Sequence, residues 1–97
     1  MRLRLAAGLV CLALAAPAFA GPWRAEAVNT YGWQFMTPDE RIEHQRHMRS
    51  FSSYEACKAY QAEHHARMAE RARRAGVDLT PRDESGCEQL RARGRLR

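Results

Sequence analysis

The stretch from Ser52 to Gly76, SSYEACKAYQAEHHARMAERARRAG, constrains the chain more than any other, because it holds no glycine or proline before its last residue. Alanine recurs from Ala56 to Ala72 among Glu, Lys, Gln, Arg and Met, a run of strong helix formers. Ser52 with Glu55 has the form of a capping box. Gly76 suits the left-handed residue that closes a helix. At 1.5 Å per residue such a helix is about 35 Å long, enough to be the spine of a small domain.

A second helix start precedes it. Thr37 is a capping residue, Pro38 suits the first helical position, and Glu40 stands where a capping box needs it. Asp39 and Glu40 also favour the positive end of the helix dipole. The helix is expected to run through RIEHQRHMR to about Ser50, with Phe51 and its serine neighbours as the link to the spine. So short a link implies an antiparallel αα-hairpin, a kinked continuous helix being the alternative.

The beginning of the chain indicates the compartment. Arg2 and Arg4 precede an apolar run from Leu5 to Ala16, followed by Pro17 and the small-residue site Ala18-Phe19-Ala20. This is the order of a secretory signal peptide over residues 1–20, with a run too short to span a bilayer. Export to the periplasm or beyond, with cleavage near Ala20, is the expectation. Removing 20 of the 97 residues leaves a single small domain with a thin core. Losing Arg2 and Arg4 lowers the formal charge from +5 by two, so part of the apparent basicity belongs to the signal.

Cleavage also removes Cys11 and leaves Cys57 and Cys87, an even pair in an oxidising compartment. Their spacing allows a disulfide: the segment after Gly76 is long enough to run back along the spine, which makes it a third layer. No C-x-x-C redox pair or haem-attachment motif is present. Residues 77–86, VDLTPRDESG, read as a loop, and about Ser85 to Ala92 as a short final helix carrying Cys87 and Leu90. The expected fold class is all-α: an antiparallel helical hairpin plus a short C-terminal helix, stapled by Cys57–Cys87. Residues 37–93 form the helical domain, and 94–97 a frayed basic tail. In residues 21–36 the alternation of Tyr31, Trp33 and Phe35 predicts a short extended arm laying aromatic rings on the helices. Trp23 is expected in the same cover or in a loose N-terminus.

All four histidines fall in two clusters, His44-x-x-His47-Met48 and His64-His65-x-x-Met68. Spacings of three and four share one helical face. Imidazole suits copper, zinc and nickel, and thioether sulfur adds a preference for Cu(I). The candidate ligands are therefore His44, His47, Met48, His64, His65 and Met68, with Met36 able to join the second cluster. A tight hairpin turning near Phe51 offsets the two clusters along its axis, which implies two half-sites rather than one closed site. Histidine and methionine also serve as ordinary helix-face and gap-filling residues, so a structural role for them stands beside copper or zinc binding.

No nucleophile, paired acid or cofactor loop stands out, so an enzyme is not expected. Arg67, Arg71 and Arg74 share a solvated helix face with Glu63 and Glu70 as partners, and the tail adds Arg91, Arg93, Arg95 and Arg97. Export makes nucleic acid an inaccessible partner. An envelope protein or anionic lipid is the polyanionic or docking partner such a surface could meet.

Met36-Thr37-Pro38-Asp39-Glu40-Arg41 resembles the L-T-P-E-Q-type helix starts of the Spy/CpxP-like periplasmic chaperones and their zinc-responsive relatives. MTPDERIEHQRHMRSF together with YEACKAYQAEHHARMAERARRAG is also similar to a set of small secreted proteobacterial helical proteins. That likeness covers about residues 31–90 and brings no activity with it. What the first resemblance implies is a non-enzymatic helical hairpin in envelope stress or metal handling. The alternative expectation is a structural module docking a partner protein or anionic lipid.

Overall fold

The computed structural model describes residues 21–80 and 85–97. The signal-peptide reading at 1–20 and part of the loop before the last helix lie outside the described residues. The described residues are all-helical, with α1 at Pro38–Ser50, α2 at Tyr54–Arg74 and α3 at Gly86–Ala92, and a short 3₁₀ turn at Trp33–Phe35. Among them there is no strand.

Helix α1 begins as its sequence dictates. Thr37 Oγ1 accepts from the Glu40 N–H, and the Glu40 carboxylate accepts from the Thr37 N–H, a complete capping box with Pro38 at the first helical position. Helix α2 begins one residue later than expected. Its cap is Ser53, whose hydroxyl accepts from the Ala56 N–H. Ser52 is instead in the link, where its carbonyl accepts from the Arg97 N–H. At the other end Gly76 has φ 71°, the Gly76 N–H reaches the Arg73 carbonyl, and the Val77 N–H reaches that of Ala72. This is a Schellman ending, and glycine alone adopts that backbone without cost.

The link Phe51–Ser53 turns the chain into an antiparallel hairpin: Met48 meets Cys57, His44 meets Tyr60 and His64, and Glu40 meets Arg71. The staple is formed, Cys57 and Cys87 being joined with Cα atoms 5.9 Å apart. It holds α3 against α2 and lies at the centre of the core with Trp23, Met48, Leu90 and Leu96. Met48 Sδ is 4.0 Å from Cys57 Sγ.

The segment 21–36 is not an extended arm. Gly32 takes φ 76° and the chain closes into the 3₁₀ turn, with the Phe35 N–H on the Gly32 carbonyl and the Met36 N–H on that of Trp33. A Cβ on Gly32 would stand 2.4 Å from Met68 Cβ, so the backbone lies directly on α2 there. Side chains from all three helices then fasten the segment. Arg49 Nε donates to the Trp23 carbonyl, Arg41 to that of Trp33, and Arg71 to that of Phe35. Gln89 Oε1 accepts from the Trp23 indole N–H at 2.8 Å and from the Asn29 amide at 3.0 Å. Trp23 is thus a core residue, only 3 % exposed, rather than part of a loose terminus.

The tail is not frayed either. After α3 the Gly94 and Arg95 N–H groups return to the Arg91 and Leu90 carbonyls, which turns Leu96 into the core. Arg97 and the hairpin link exchange backbone hydrogen bonds, Arg97 N–H to Ser52 and Tyr54 N–H to Arg97. Glu88 completes this end, accepting from Tyr54, Lys58 and Ser85. Burial alone would push the Glu88 carboxyl up, but those hydrogen bonds hold it at about 2.

Candidate functional site

The face between α1 and α2, away from the disulfide, holds an open groove of about 250 Å³. It is lined by His44 and His47 of α1, Tyr60, His64 and Met68 of α2, and Met36 from the segment before α1. Glu40, Glu43 and Arg67 form its polar rim.

The two histidine clusters meet here instead of being offset. His44 and His64 stand ring to ring, with centroids 4.5 Å apart and planes at 31°. Two physical features close the expected gap. The link occupies three residues, which moves the point of reversal toward α2. In addition, side chains lean toward the N-terminus of their own helix. In an antiparallel pair His44 therefore leans away from the link while His64 leans toward it.

Each ring is oriented by a hydrogen bond. His64 Nε2 lies 2.9 Å from the Tyr31 carbonyl oxygen. A carbonyl only accepts, so Nε2 carries the proton and Nδ1 the lone pair. His44 Nδ1 lies 3.0 Å from the Tyr60 hydroxyl, which can donate or accept. Both imidazoles are nearly buried, at 5 % and 4 % exposure. Burial, reinforced by His64, His47, His65 and Arg67 nearby, pushes His44 down from 6.5 to about 3. Burial likewise lowers His64, against the opposing pull of the Tyr31 carbonyl. Both rings are therefore neutral at pH 7, the protonation state in which a histidine binds metal.

His47 is the outer member of the groove. It stacks on Tyr60 with centroids 5.0 Å apart and lies 3.2 Å from a Glu43 carboxylate oxygen. Met36 and Met68 are buried sulfur side chains, 6 % and 2 % exposed. Two candidates fall elsewhere. Met48 is 1 % exposed and belongs to the core beside the disulfide, not to a ligand set. His65 turns to the other flank of α2 and packs on Tyr31, centroids 4.7 Å apart, where burial lowers its pKa. The spacing of three between His65 and Met68 places them on neighbouring, not identical, sides of α2.

Tyr60 was not legible as a site residue, although it precedes His64 by four positions and so shares its face. It contacts His44, His47, Phe51 and His64 and is the hub of the groove. Among the described residues no three His, Cys, Asp or Glu side chains assemble as a ligand group. The nitrogen donors that converge are the His44 and His64 pair, and any further ligand has to be sulfur or solvent. The arrangement can therefore offer two neutral imidazoles beside thioethers, a soft donor set.

No helix among the described residues is long and apolar enough to cross a membrane. Comparison with known proteins leaves the site to its own chemistry: no family model, curated protein or solved structure matches the chain.

Proposed function

We propose that the protein is an exported, non-enzymatic envelope protein that binds a soft metal ion, Cu(I), in the groove between α1 and α2. The observation that carries this reading is the pair of neutral rings, His44 and His64, 4.5 Å apart in a groove that Met36 and Met68 also line. One ion can meet a nitrogen of each. His64 offers Nδ1, because Nε2 is committed to Tyr31. His44 offers Nε2 when its Nδ1–H donates to Tyr60, a supporting hydrogen bond of the kind that orients metal-bound histidines.

The donor set favours Cu(I) over zinc. Thioethers are soft ligands that suit Cu(I), whereas zinc sites are built from thiolate, imidazole and carboxylate, usually four ligands in structural sites. The resemblance of the helix start at Thr37–Glu40 to periplasmic stress proteins is consistent with an envelope role. Residues 1–20 support export, and mass spectrometry of the native protein is expected to find Gly21 first; a product retaining Met1 contradicts it.

Titration of the oxidised protein with Cu(I) against a competing chelator tests the metal reading. Submicromolar binding that is lost in His64→Ala and weakened in Met68→Leu supports it. The leucine keeps the volume and removes only the sulfur. Binding no tighter than about micromolar, on the scale where association is worth roughly 8 kcal/mol, sinks it. The His44–His64–Tyr60 cluster is then a packing element of a small core.

A further inference from the structure

A Cu(I) ion held by His44 and His64 leaves a third histidine of the groove without a task. His47 lines the same groove, yet among the described residues it does not close on the pair to make a group of three ligands. Resting on the Cu(I) reading, we propose that His47 is the exchange ligand of the groove. It takes Cu(I) from the carrier that brings it, passes it to His44 and His64, and is not bound to the ion at rest.

The inner rings are hard to reach. His44 and His64 are 5 % and 4 % exposed, whereas 43 % of the His47 side chain is open to solvent. A cation stripped of every ligand is costly to move toward such a place, because nothing replaces its solvation on the way. Entry therefore goes by replacement, one new bond forming as an old one breaks. Such a route needs a donor at the entrance, and His47 is the exposed imidazole there.

The surroundings of His47 suit that step. Tyr60 stacks on His44 with centroids 5.5 Å apart and on His47 with centroids 5.0 Å apart, so both α1 imidazoles lie along one aromatic surface. They are three residues apart on α1, a rise of about 4.5 Å and less than one helical turn. His47 Nε2 is 3.2 Å from a Glu43 carboxylate oxygen, which only accepts, so Nε2 holds a proton and Nδ1 is the nitrogen left for metal. Nδ1 has no hydrogen bond among the described residues. A carboxylate behind an imidazole also makes the ring a stronger donor, as it does behind metal-bound histidines generally.

The transfer balances with no change of oxidation state. His47 Nδ1 bonds to Cu(I) as one carrier ligand leaves, and one inner ring then bonds as the next leaves. His47 lets go when the second inner ring binds. Each ring lends a lone pair and keeps its N–H, so no proton or electron moves. A ligand that holds the ion only in passing stabilises the transition state and neither end state. It speeds uptake and release equally and leaves the affinity alone.

Stopped-flow transfer of Cu(I) from its bicinchoninate complex to the oxidised protein tests this, with release followed by returning the loaded protein to excess chelator. His47→Phe keeps a ring on Tyr60 and removes both nitrogens. It is expected to slow uptake and release alike, by about tenfold, the scale on which residues supporting a metal site act. The equilibrium affinity is expected to stay nearly unchanged. In His47→Ala, dissolved imidazole is expected to restore the rate, which a packing role for His47 does not allow. Unchanged rates in His47→Phe would make His47 a bystander and overturn the proposal with the Cu(I) site intact. A loss of affinity as large as that in His64→Ala, with faster release, would make it a resting ligand and overturn the proposal too. If the unaltered chain takes no Cu(I) even from a weaker chelator, the metal reading itself fails and the exchange role with it.

Discussion

Arg71 grips Glu40 through two parallel hydrogen bonds of 2.7 Å, and the same guanidinium holds the Phe35 carbonyl at 2.8 Å. One side chain near the end of α2 thus fastens both the start of α1 and the turn before it. The Arg71 bonds, ahead of the Thr37 N–H, hold the Glu40 carboxyl down at about 2. The pair is about one-third exposed, so solvent screens part of its strength. Arg71→Lys, which keeps the charge but loses the fork, is expected to lower stability by about 1 kcal/mol. A urea midpoint that falls with an unchanged slope would show it; no change in midpoint would mean that the Thr37 cap alone secures this end.

The disulfide joins residues 30 apart in sequence, which in the chain-entropy model is worth roughly 3–4 kcal/mol. That is a large share of the stability of so small a domain. Reduction is expected to lower the melting temperature markedly, and oxidised protein is expected to show no free thiol at Cys57 or Cys87. Indifference of the melting temperature to reductant would contradict the role given to the staple.

Acid sensitivity follows from the groove. The folded His44 titrates near 3 and the unfolded one near 6.5, so the unfolded chain binds the proton first. Stability is fully present above about pH 6.5 and is lost as pH falls toward 3, at up to about 1.4 kcal/mol per pH unit. His64, lowered in the same direction, adds to the loss. Glu40 and Glu88, both held near 2, contribute a further loss only below their ordinary value of 4.5. Melting curves from pH 7 to pH 4 check this, and His44→Gln is expected to flatten the profile above pH 4.5.

At Gly32 the N-terminal segment lies directly on α2, against Met68. Gly32→Ala places a methyl within 2.4 Å of Met68 Cβ and at φ 76°, so overpacking and backbone strain coincide. The expected cost is about 2 kcal/mol or more. Gly76→Ala, with nothing within 4 Å of its Cβ, carries the backbone cost alone and is expected to cost less. Equal effects in chemical denaturation would contradict the contact.

What was legible in the sequence was local or covalent. The Thr37–Glu40 start, the Gly76 ending and the Cys57–Cys87 pairing each rest on residues whose own chemistry specifies the result. The cap of α2 was misplaced by one residue because Ser52 and Ser53 are both good caps, and the choice falls to Arg97, whose N–H takes the Ser52 carbonyl. The meeting of His44 and His64 depends on hairpin register, a matter of link length and side-chain lean that no periodicity encodes. Alternation at Tyr31, Trp33 and Phe35 pointed to an extended arm, yet Gly32 between them breaks it. Trp23 looked peripheral because its partners, Gln89 and Leu90, come from the far end of the chain. Leu96 had a readable signal: an apolar residue following Gly94, set to fold back past the end of α3.

Helix α2 is secured in two chemically different ways. Near its start Cys57 is held by a covalent bond to α3, and near its end Arg71 is held by an ion pair to α1. The two attachments stand about 21 Å apart along the helix, and only the ion pair is open to screening by salt, the disulfide carrying no charge. One rod therefore answers separately to two properties of its surroundings. A reducing medium releases the end where the tail meets the hairpin link. A saline one acts most on the end beside Met36 and Met68, because at the start the Lys58–Glu88 ion pair stands beside a covalent bond that salt leaves intact. Amide exchange along α2 would register the first as opening from Tyr54 inward and the second as opening from Arg74 inward.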